Sequence, residues 1–344
     1  MLRERLTAQL LAGPRAKGVE AVVERLLAVQ GQDPRGARLA IRARSEGLTA
    51  SDVDRALNER ALVITWLNRG TLHLVRSEDY PWLQALTAPR LMTSSARRLA
   101  QEGLTPRATE RGVKTIERTL AKEGPSTRGE LRERIAAAGV RTEGQALVHL
   151  LLAASLRGIA VRGPMLGREH AYVLVREWLP KHRPIDRDRA LRELARRYLR
   201  GHGPAGERDL ARWAGLPLRD ARAGLSAIAS ELIEREDGLL DLARSEAAAE
   251  LPPPRLLGSF DPVLHGWVSR EPMLADKEPI ITLNGVFRPF ALARGRAVAV
   301  WSMRAGEIEL RPFARLTRAD TAALRADALA VVAYLAGEPH PRDR

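Results

Sequence analysis

The chain has 344 residues, of which 45% are hydrophobic and 28% charged, a composition typical of folded domains rather than of a disordered chain. Lysine and arginine exceed aspartate and glutamate by 14 charges, and such an excess attracts polyanions such as duplex DNA. The absence of cysteine excludes disulfides, thiol nucleophiles, thiolate metal sites and iron–sulfur clusters. A GC-rich genome also favours arginine over lysine, but that bias does not explain the excess of bases over acids.

The N-terminal region contains no recognisable targeting segment. Its first residues carry charges at Arg3, Glu4 and Arg5 and only a short apolar patch, which is not the pattern of a signal peptide. The longest apolar stretch, residues 146–156, is too short to cross a bilayer. We therefore expect a cytoplasmic protein without a membrane partner.

Residues 1–90 are predicted to form a winged-helix-like N-terminal domain. Asp33 followed by Pro34 is a favourable helix start, with an aspartate cap and proline at the first helical position. Gly70 then precedes an alternating β-rich run at 71–75. Helices are predicted over three ranges, 18–29, 34–46 and 49–60.

Residues 91–180 are predicted to form a second domain, with three helices followed by a hairpin. Thr127 and Glu130 have the spacing of a capping box. The predicted helices cover 112–123, 127–138 and 142–156, and the predicted strands cover 159–162 and 170–175. Three helices and a hairpin in this order are typical of a winged helix.

Residues 185–250 repeat that order of elements. Helices are predicted at 187–200, 206–214 and 217–232, and residues 233–242 can pair around Asp237–Gly238. Two adjacent segments with the same pattern support each other, because few other folds combine three helices and a hairpin at this length.

The last segment, residues 251–344, has a different pattern. Three prolines at 252–254 indicate a linker or a rigid turn, and a helix is predicted at 318–336. Strands are predicted at 279–283, 286–293, 297–302 and 307–312, with turns at Asn284–Gly285 and Arg294–Gly295. The sequence thus predicts an α+β fold, mainly α, with tandem winged helices and a small C-terminal β-barrel or sheet.

Common catalytic and cofactor motifs are absent from the sequence. There is no Walker A loop, no dinucleotide-binding glycine motif, no H-E-x-x-H and no G-x-S-x-G. The histidines show no ligand spacing, so we predict neither a metal site nor a cofactor; they are His73, His149, His170, His182, His202, His265 and His340.

The first candidate catalytic motif is Val-Gln-Gly-Gln-Asp-Pro at 29–34. Gln30 and Gln32 flank a glycine between two predicted helices, and each amide offers one acceptor and one NH2 donor. Together they could hold and orient a water molecule in a cleft. Alternatively, glutamines at such a junction cap helix ends or face solvent.

The second candidate motif is Trp-Leu-Asn-Arg-Gly-Thr-Leu-His-Leu-Val at 66–75. After the glycine, strand alternation predicts Arg69, Thr71 and His73 on one face and apolar side chains on the other. A polar face of this kind could contact phosphate or a base edge in DNA. An ordinary half-exposed strand would have the same pattern.

These motifs, taken in chain order, resemble the winged-helix AlkZ/YcaQ-like DNA glycosylases. The resemblance extends over nearly the whole chain and rests on V-Q-G-Q-D at 29–33, W-L-N-R-G-T-L-H-L-V at 66–75, G-P-A-G-x-x-D-L-A-R-W-A-G-L at 203–216, L-L-G-S-F-D at 256–261 and N-G-V-F-R-P at 284–289.

The resemblance implies a monofunctional glycosylase that acts on N7-alkylated purines and, in some members, on interstrand crosslinks. Its catalytic Gln-x-Gln motif corresponds to Gln30 and Gln32. The related YcaQ branch ends this motif in a carboxylate, so Gln32 favours the AlkZ branch, which includes antibiotic self-resistance enzymes. Two departures are Gly31, where the family has a bulkier apolar residue, and residues 261–267, which lack the usual tyrosines.

We therefore predict a DNA glycosylase that acts as a monomer on double-stranded DNA containing alkylated bases. An N7-alkylated purine is cationic and already a good leaving group, so water positioning matters more than acid catalysis. Asp33 could act as a base, although its place before Pro34 favours a helix cap. The alternatives are a non-enzymatic winged-helix DNA-binding protein, such as a transcriptional regulator, and a degenerate glycosylase that only shields lesions.

Overall fold

A computed structural model describes residues 1–181, 185–274, 280–282 and 285–337. The chain divides into two compact units. The first unit comprises residues 1–53 and 191–344, and the second comprises residues 54–190. None of the helices in the described ranges is long and apolar enough to cross a membrane.

Helices and strands alternate along the chain in short groups. The N-terminal half contains α1 (Leu2–Ala8), α2 (Val19–Leu26), β1 (Val29–Gln30), α3 (Pro34–Arg42), α4 (Ala50–Asn58), β2 (Leu62–Leu67), β3 (Thr71–Arg76), α5 (Tyr80–Gln101), α6 (Pro106–Glu123), α7 (Arg128–Ala137), α8 (Ala146–Leu156), β4 (Ala160–Leu166), β5 (Glu169–Leu174) and α9 (Val175–Trp178).

The C-terminal half contains α10 (Arg187–His202), α11 (Glu207–Ala214), α12 (Leu218–Ser226), β6 (Leu232–Glu234), β7 (Leu240–Leu242), β8 (Arg255–Leu257), β9 (Phe290–Ala293), β10 (Arg296–Arg304), β11 (Glu307–Pro312) and α13 (Arg318–Ala336).

The second unit combines a sheet with a helical layer. Its four strands are antiparallel and lie in the order β3-β2-β4-β5. Helix α8 is apolar on nearly every side and packs against α5 and α6 as well as against β2 and β4. Gly112 allows α6 to approach α8, since a Cβ atom there would lie 2.9 Å from Leu150. Burial of α8 therefore organises the core of this unit.

The first unit has its own core between a sheet and helices. Strands β8 to β11 form an open sheet in the order β11-β10-β9-β8. Helix α13 packs against β8, and buried side chains of α3, the sheet and α13 form one cluster that includes Leu39, Leu256, Trp301 and Tyr334. This cluster fixes α3, the helix that directly follows the Gln-x-Gln motif.

The capping and turn signals are confirmed at several positions. Asp33 caps α3, and Thr127 with Glu130 forms the capping box of α7. Gly215 ends α11 in the left-handed conformation. Arg294 and Gly295 both have positive φ between β9 and β10, as a two-residue type I′ hairpin turn requires.

Several element boundaries differ from the predictions for physical reasons. Helix α6 begins at Pro106 rather than at 112, because the Thr105 side chain caps it with a 3.1 Å bond from the Ala108 amide. Helix α8 begins at Ala146 rather than at 142, because a turn precedes it. The 22-residue α5 was not predicted, and Pro89 lies in its interior, a position at which proline disfavours a helix.

The C-terminal region is a sheet in the residues that the structure describes. Of the two predicted alternatives, barrel or sheet, the open sheet is found, and the mixed α+β class is confirmed. Strand β8 follows the three prolines directly. The two end residues of the predicted strand 279–283, Asn284 of the predicted turn, His182 and His340 lie outside the described residues.

Candidate active site

Gln30 and Gln32 lie in the connection between α2 and α3 of the first unit. Helix α2 ends where Leu27 adopts a φ of 63°, and the chain then becomes extended in β1. Leu27 and Val29 are fully buried and anchor this connection. The backbone that carries the two glutamines is therefore held by apolar packing.

The two glutamine side chains are brought together as a pair. Gln30 is only 6% exposed, whereas Gln32 is exposed. The Nε2 group of Gln30 donates a hydrogen bond to Oε1 of Gln32. We call Gln30 and Gln32 the amide pair.

The hydrogen bond between the two amides determines which of their side-chain polar groups can still bind another molecule. Oε1 of Gln30 is buried and has no hydrogen-bond partner within the described residues. A buried acceptor without a donor is unfavourable by about 1–3 kcal/mol, so this oxygen will bind a donor that reaches it. The NH2 group of Gln32 remains a donor on an exposed side chain. The pair therefore presents an acceptor and a donor together.

Asp33 directly follows the amide pair and caps α3. Its Oδ1 accepts a 3.0 Å hydrogen bond from the Arg35 amide. This bond satisfies one of the unpaired donors at the helix start. The cap holds the carboxylate against the first turn of α3, as the sequence predicted.

Residues 255–261, which we call the bracing segment, pack along α3. At its N-terminal turn the contact is close, because a Cβ atom on Gly36 would lie 2.4 Å from the Ser259 carbonyl oxygen. At its C-terminal end, Arg44 forms a bidentate ion pair with Asp261, with distances of 2.7 and 2.9 Å. Both of these side chains are fully buried. Helix α3, and with it the amide pair, is thus fixed at both ends.

The second group of candidate residues lies in the other unit, at the turn end of the β2–β3 hairpin. We call residues 67–73 the hairpin end. Arg69 is exposed in the turn, with Asn68 and Gly70 on either side at φ values of 53° and 82°. Thr71 is half-buried and pairs with Leu67 across the strands.

His73 is buried rather than exposed. Its Nδ1 lies 2.9 Å from the Thr71 carbonyl oxygen. Burial, and secondarily the positive charge of Arg69, lowers the pKa of His73 to about 3. His73 is therefore neutral near pH 7, and only Arg69 of the three predicted contact residues carries a charge.

Two further polar side chains, Thr65 on β2 just before the hairpin end and Asn68 within it, were not predicted as site residues. Thr65 lies opposite His73 in the β2–β3 register. Asn68 is 2% exposed, and both of its side-chain polar atoms, like the Thr65 hydroxyl, lack partners in the described part of the chain. A threonine inside the apolar run Leu-Val-Ile-Thr-Trp-Leu was the available signal for Thr65.

Within the described residues, no group of three or more His, Cys, Asp or Glu could hold a metal ion.

Comparisons with known proteins agree with the motif resemblance. The AlkZ-like DNA glycosylase family matches residues 23–334 of the chain. An interstrand DNA cross-link repair glycosylase of Streptomyces sahachiroi is 27% identical over 94% of this chain and 92% of its own length. The solved structure of the S. sahachiroi DNA glycosylase AlkZ superimposes with a TM-score of 0.76 at 25% identity, covering 98% of this chain and 97% of that one.

The family match at 23–334 spans residues of both units. The similarities favour an enzyme that acts on DNA over a non-enzymatic regulator, and they confirm the predicted resemblance. The chain belongs to the AlkZ-like family of DNA glycosylases.

Proposed function

We propose that the chain hydrolyses the N-glycosidic bond of N7-alkylated purines in duplex DNA, including bulky natural-product adducts and interstrand crosslinks. The observation that carries the proposal is the amide pair, which presents one buried acceptor and one exposed donor and no ionisable group. The name of the S. sahachiroi relative, an interstrand DNA cross-link repair glycosylase, agrees with this substrate class.

Neutral amides suit a substrate whose base leaves without an acid. An N7-alkylated guanine carries a positive charge, and it becomes neutral when it departs with the electron pair of the C1′–N9 bond. The sugar is left as an oxocarbenium-like cation, and water adds its oxygen to C1′ to form the abasic site. This order of events makes water placement the main task of the enzyme.

The amide pair can place that water. In the proposed arrangement, Oε1 of Gln30 accepts a hydrogen bond from the water, and the water keeps a lone pair directed at C1′. The NH2 group of Gln32 donates to the substrate on the exposed side of the pair. Because an amide does not take up a proton near pH 7, the proton of the attacking water leaves to solvent after the C–O bond has formed.

We propose the hairpin end as a DNA contact, with Arg69 on phosphate and with Thr71 and His73 donating or accepting hydrogen bonds. The exposure of Arg69 and its positive charge support a phosphate contact. The low pKa of His73 supports a neutral hydrogen-bonding role rather than an ionic one.

We also propose that the chain acts as a monomer with winged-helix domains at 1–90, 91–180 and 185–250 and a β-domain at 251–344. The order α6-α7-α8 followed by the β4–β5 hairpin supports this division, as does α10-α11-α12 followed by β6–β7. Helix and hairpin elements in this order are the parts with which winged helices meet a duplex.

The experiment that tests this function uses duplexes with N7-methylguanine, a bulky N7-guanine adduct or an N7-linked interstrand crosslink. Purified protein is incubated with each duplex, and alkaline cleavage then reveals abasic sites. We expect strand breaks with at least one N7-alkylated duplex and none with the unmodified duplex. The Gln30→Ala/Gln32→Ala variant should bind DNA but release the base more slowly by about a hundredfold or more.

Two results would contradict the proposal. Absence of breaks on every N7-alkylated duplex would exclude this substrate class. Full activity of the double variant would remove the amide pair from the mechanism.

A further inference from the structure

Helix α6 of the second unit carries a row of exposed cations. Arg107, Arg111, Lys114, Arg118 and Lys122 are all exposed and follow one another at intervals of three or four residues. This spacing places them along one side of the helix. We call these five residues the α6 stripe.

The dimensions of the α6 stripe match those of a nucleic-acid backbone. At a rise of 1.5 Å per residue, its ends lie about 22 Å apart. Phosphates of one DNA strand follow each other every 3.4 Å along the duplex axis, so the stripe spans roughly six of them.

The carboxylates on the same helix are already neutralised. Glu110 is bound by Arg157 at 2.7 Å and by Lys114 at 3.6 Å. Glu117 is bound by Arg176, which comes from α9. Glu123, the last residue of α6, is bound by Arg134 of α7 at 3.1 Å. Since Arg157, Arg176 and Arg134 come from outside α6, the acids of this helix leave the positive charge of the stripe largely uncompensated.

The ends of the α6 stripe are unpaired among the described residues. Arg107 and Lys122 make no hydrogen bond or ion pair in the part of the chain that the structure describes. Within the same ranges, Arg118 makes only a 3.5 Å contact with the hydroxyl of Thr115 on its own helix. These side chains are thus available to an external anion.

Helix α10 has six arginines, twice as many as α6, but differs in this respect. Arg192 and Arg196 both bind Glu231, at 3.5 and 2.6 Å, and Arg200 binds Glu24 at 3.3 Å. The arginines of α10 therefore stabilise the first unit internally. A high arginine content therefore does not by itself leave a helix with uncompensated charge, as the comparison of α10 with α6 shows.

We propose that the α6 stripe binds the phosphate backbone of duplex DNA, as an anchor separate from the amide pair and the hairpin end. Five cations along about 22 Å of helix suit a polyanion and read no sequence, so the anchor should act on damaged and undamaged duplex alike. The proposal rests on the proposed function in assuming that the partner is duplex DNA.

The test measures binding to an undamaged duplex by fluorescence anisotropy at several salt concentrations. The variant is Lys114→Glu/Arg118→Glu. The matched control is Arg318→Glu/Arg325→Glu, which makes the same charge change on exposed positions of α13. We expect the stripe variant to bind roughly tenfold more weakly, with a slope of log K against log salt smaller by about 1.8 for two lost phosphate contacts. The control variant should bind the duplex with nearly the same affinity and salt slope as the unchanged protein.

A second variant tests whether removing carboxylates from α6 strengthens binding to the duplex. Glu110→Gln/Glu117→Gln removes two carboxylates and frees Arg157 and Arg176, so it should bind the duplex more tightly. Equal affinities and salt slopes in the stripe variant and the control would overturn the proposal. Because undamaged DNA is used, the result does not depend on whether any base is released.

Discussion

The amide pair and the hairpin end differ in how the fold treats their polar groups. In the amide pair, a buried glutamine is bonded to an exposed one, and an acceptor and a donor remain available. In the hairpin end, Arg69 is exposed, whereas His73 is buried and has a pKa of about 3. Both regions are rich in polar residues. Because His73 is buried and neutral, the hairpin end carries a charge only at Arg69, whereas the amide pair carries no charge.

The difference shows that polar residues next to each other in sequence need not share a role. Gln30 and Gln32 form one hydrogen-bonded unit because a turn and a helix cap hold them. Arg69 and His73 face different environments even though they were predicted on the same strand face.

The largest expected effect concerns the support of the amide pair. Asp261→Ala leaves Arg44 as a buried cation without its partner, and we expect the free energy of unfolding to fall by about 3–5 kcal/mol. Urea denaturation followed by tryptophan fluorescence measures this. Glu309→Gln, which removes an exposed ion pair with Arg311, is the control and should leave the urea midpoint unchanged. Equal midpoints for both variants would show that the buried pair does not brace α3.

The next effect is a loss of stability in acid. Burial is the main cause that lowers the pKa of both His73 and His202 to about 3, one histidine in each unit. Each is neutral when folded but takes up a proton in the unfolded chain below pH 6.5. The free energy of unfolding is therefore highest above pH 6.5 and falls toward pH 3, by about 1.4 kcal/mol per pH unit for each histidine.

The pH effect is checked with denaturation curves recorded between pH 7.5 and pH 4.5, a range chosen to bracket the onset at about 6.5. His202→Phe keeps a ring against Tyr198, whose ring centroid lies 4.8 Å from that of His202. In this variant, the free energy of unfolding should fall less steeply with decreasing pH, by the contribution of one proton. An unchanged slope would mean that His202 is not held neutral in the folded protein.

A smaller effect is expected at the hairpin end. Arg69→Glu should weaken duplex binding about fivefold and lower the salt slope by about 0.9, the value for one phosphate contact. Arg325→Glu on α13 is the reference for the change in net charge. Identical affinities for the two variants would place Arg69 away from the DNA.

The smallest expected effect separates the cap from a catalytic base. Asp33→Asn removes the carboxylate but keeps a side chain that caps helices well. We expect nearly unchanged base release and thermal stability, measured by single-turnover excision and by a melting curve. A fall in excision of about a hundredfold or more with an unchanged melting temperature would instead assign Asp33 as the general base.

Much of the fold could be predicted from local signals. Thr127 with Glu130, Asp33 with Pro34 and Gly215 each act within one helical turn, and all three set helix ends where the sequence placed them. Helix α5 could not be predicted in this way. Pro89 in its interior is a local signal against a helix, and tertiary packing of Trp82, Leu83 and Leu86 outweighs it.

The candidate site was predictable in its residues but not in its geometry. The motif identified Gln30 and Gln32, yet the bond between them depends on the φ of Leu27 and on the bracing segment, more than 200 positions away. The burial of His73 likewise depends on packing that strand alternation does not encode. Contacts between residues far apart in the sequence determine which side chains are buried, and burial determines whether a histidine such as His73 is protonated.

The central claim is that Gln30 and Gln32 act as one water-placing unit. The most direct test is a double-mutant cycle on single-turnover excision of an N7-alkylated guanine, with Gln30→Ala, Gln32→Ala and the double variant. Residues that act as a unit are non-additive, so each single change should lower the rate by about 10²–10³-fold and the double change should cost little more. If the fold loss of rate in the double variant equalled the product of the two single losses, the two amides would not share a role. Full activity of either single variant would contradict that role as well.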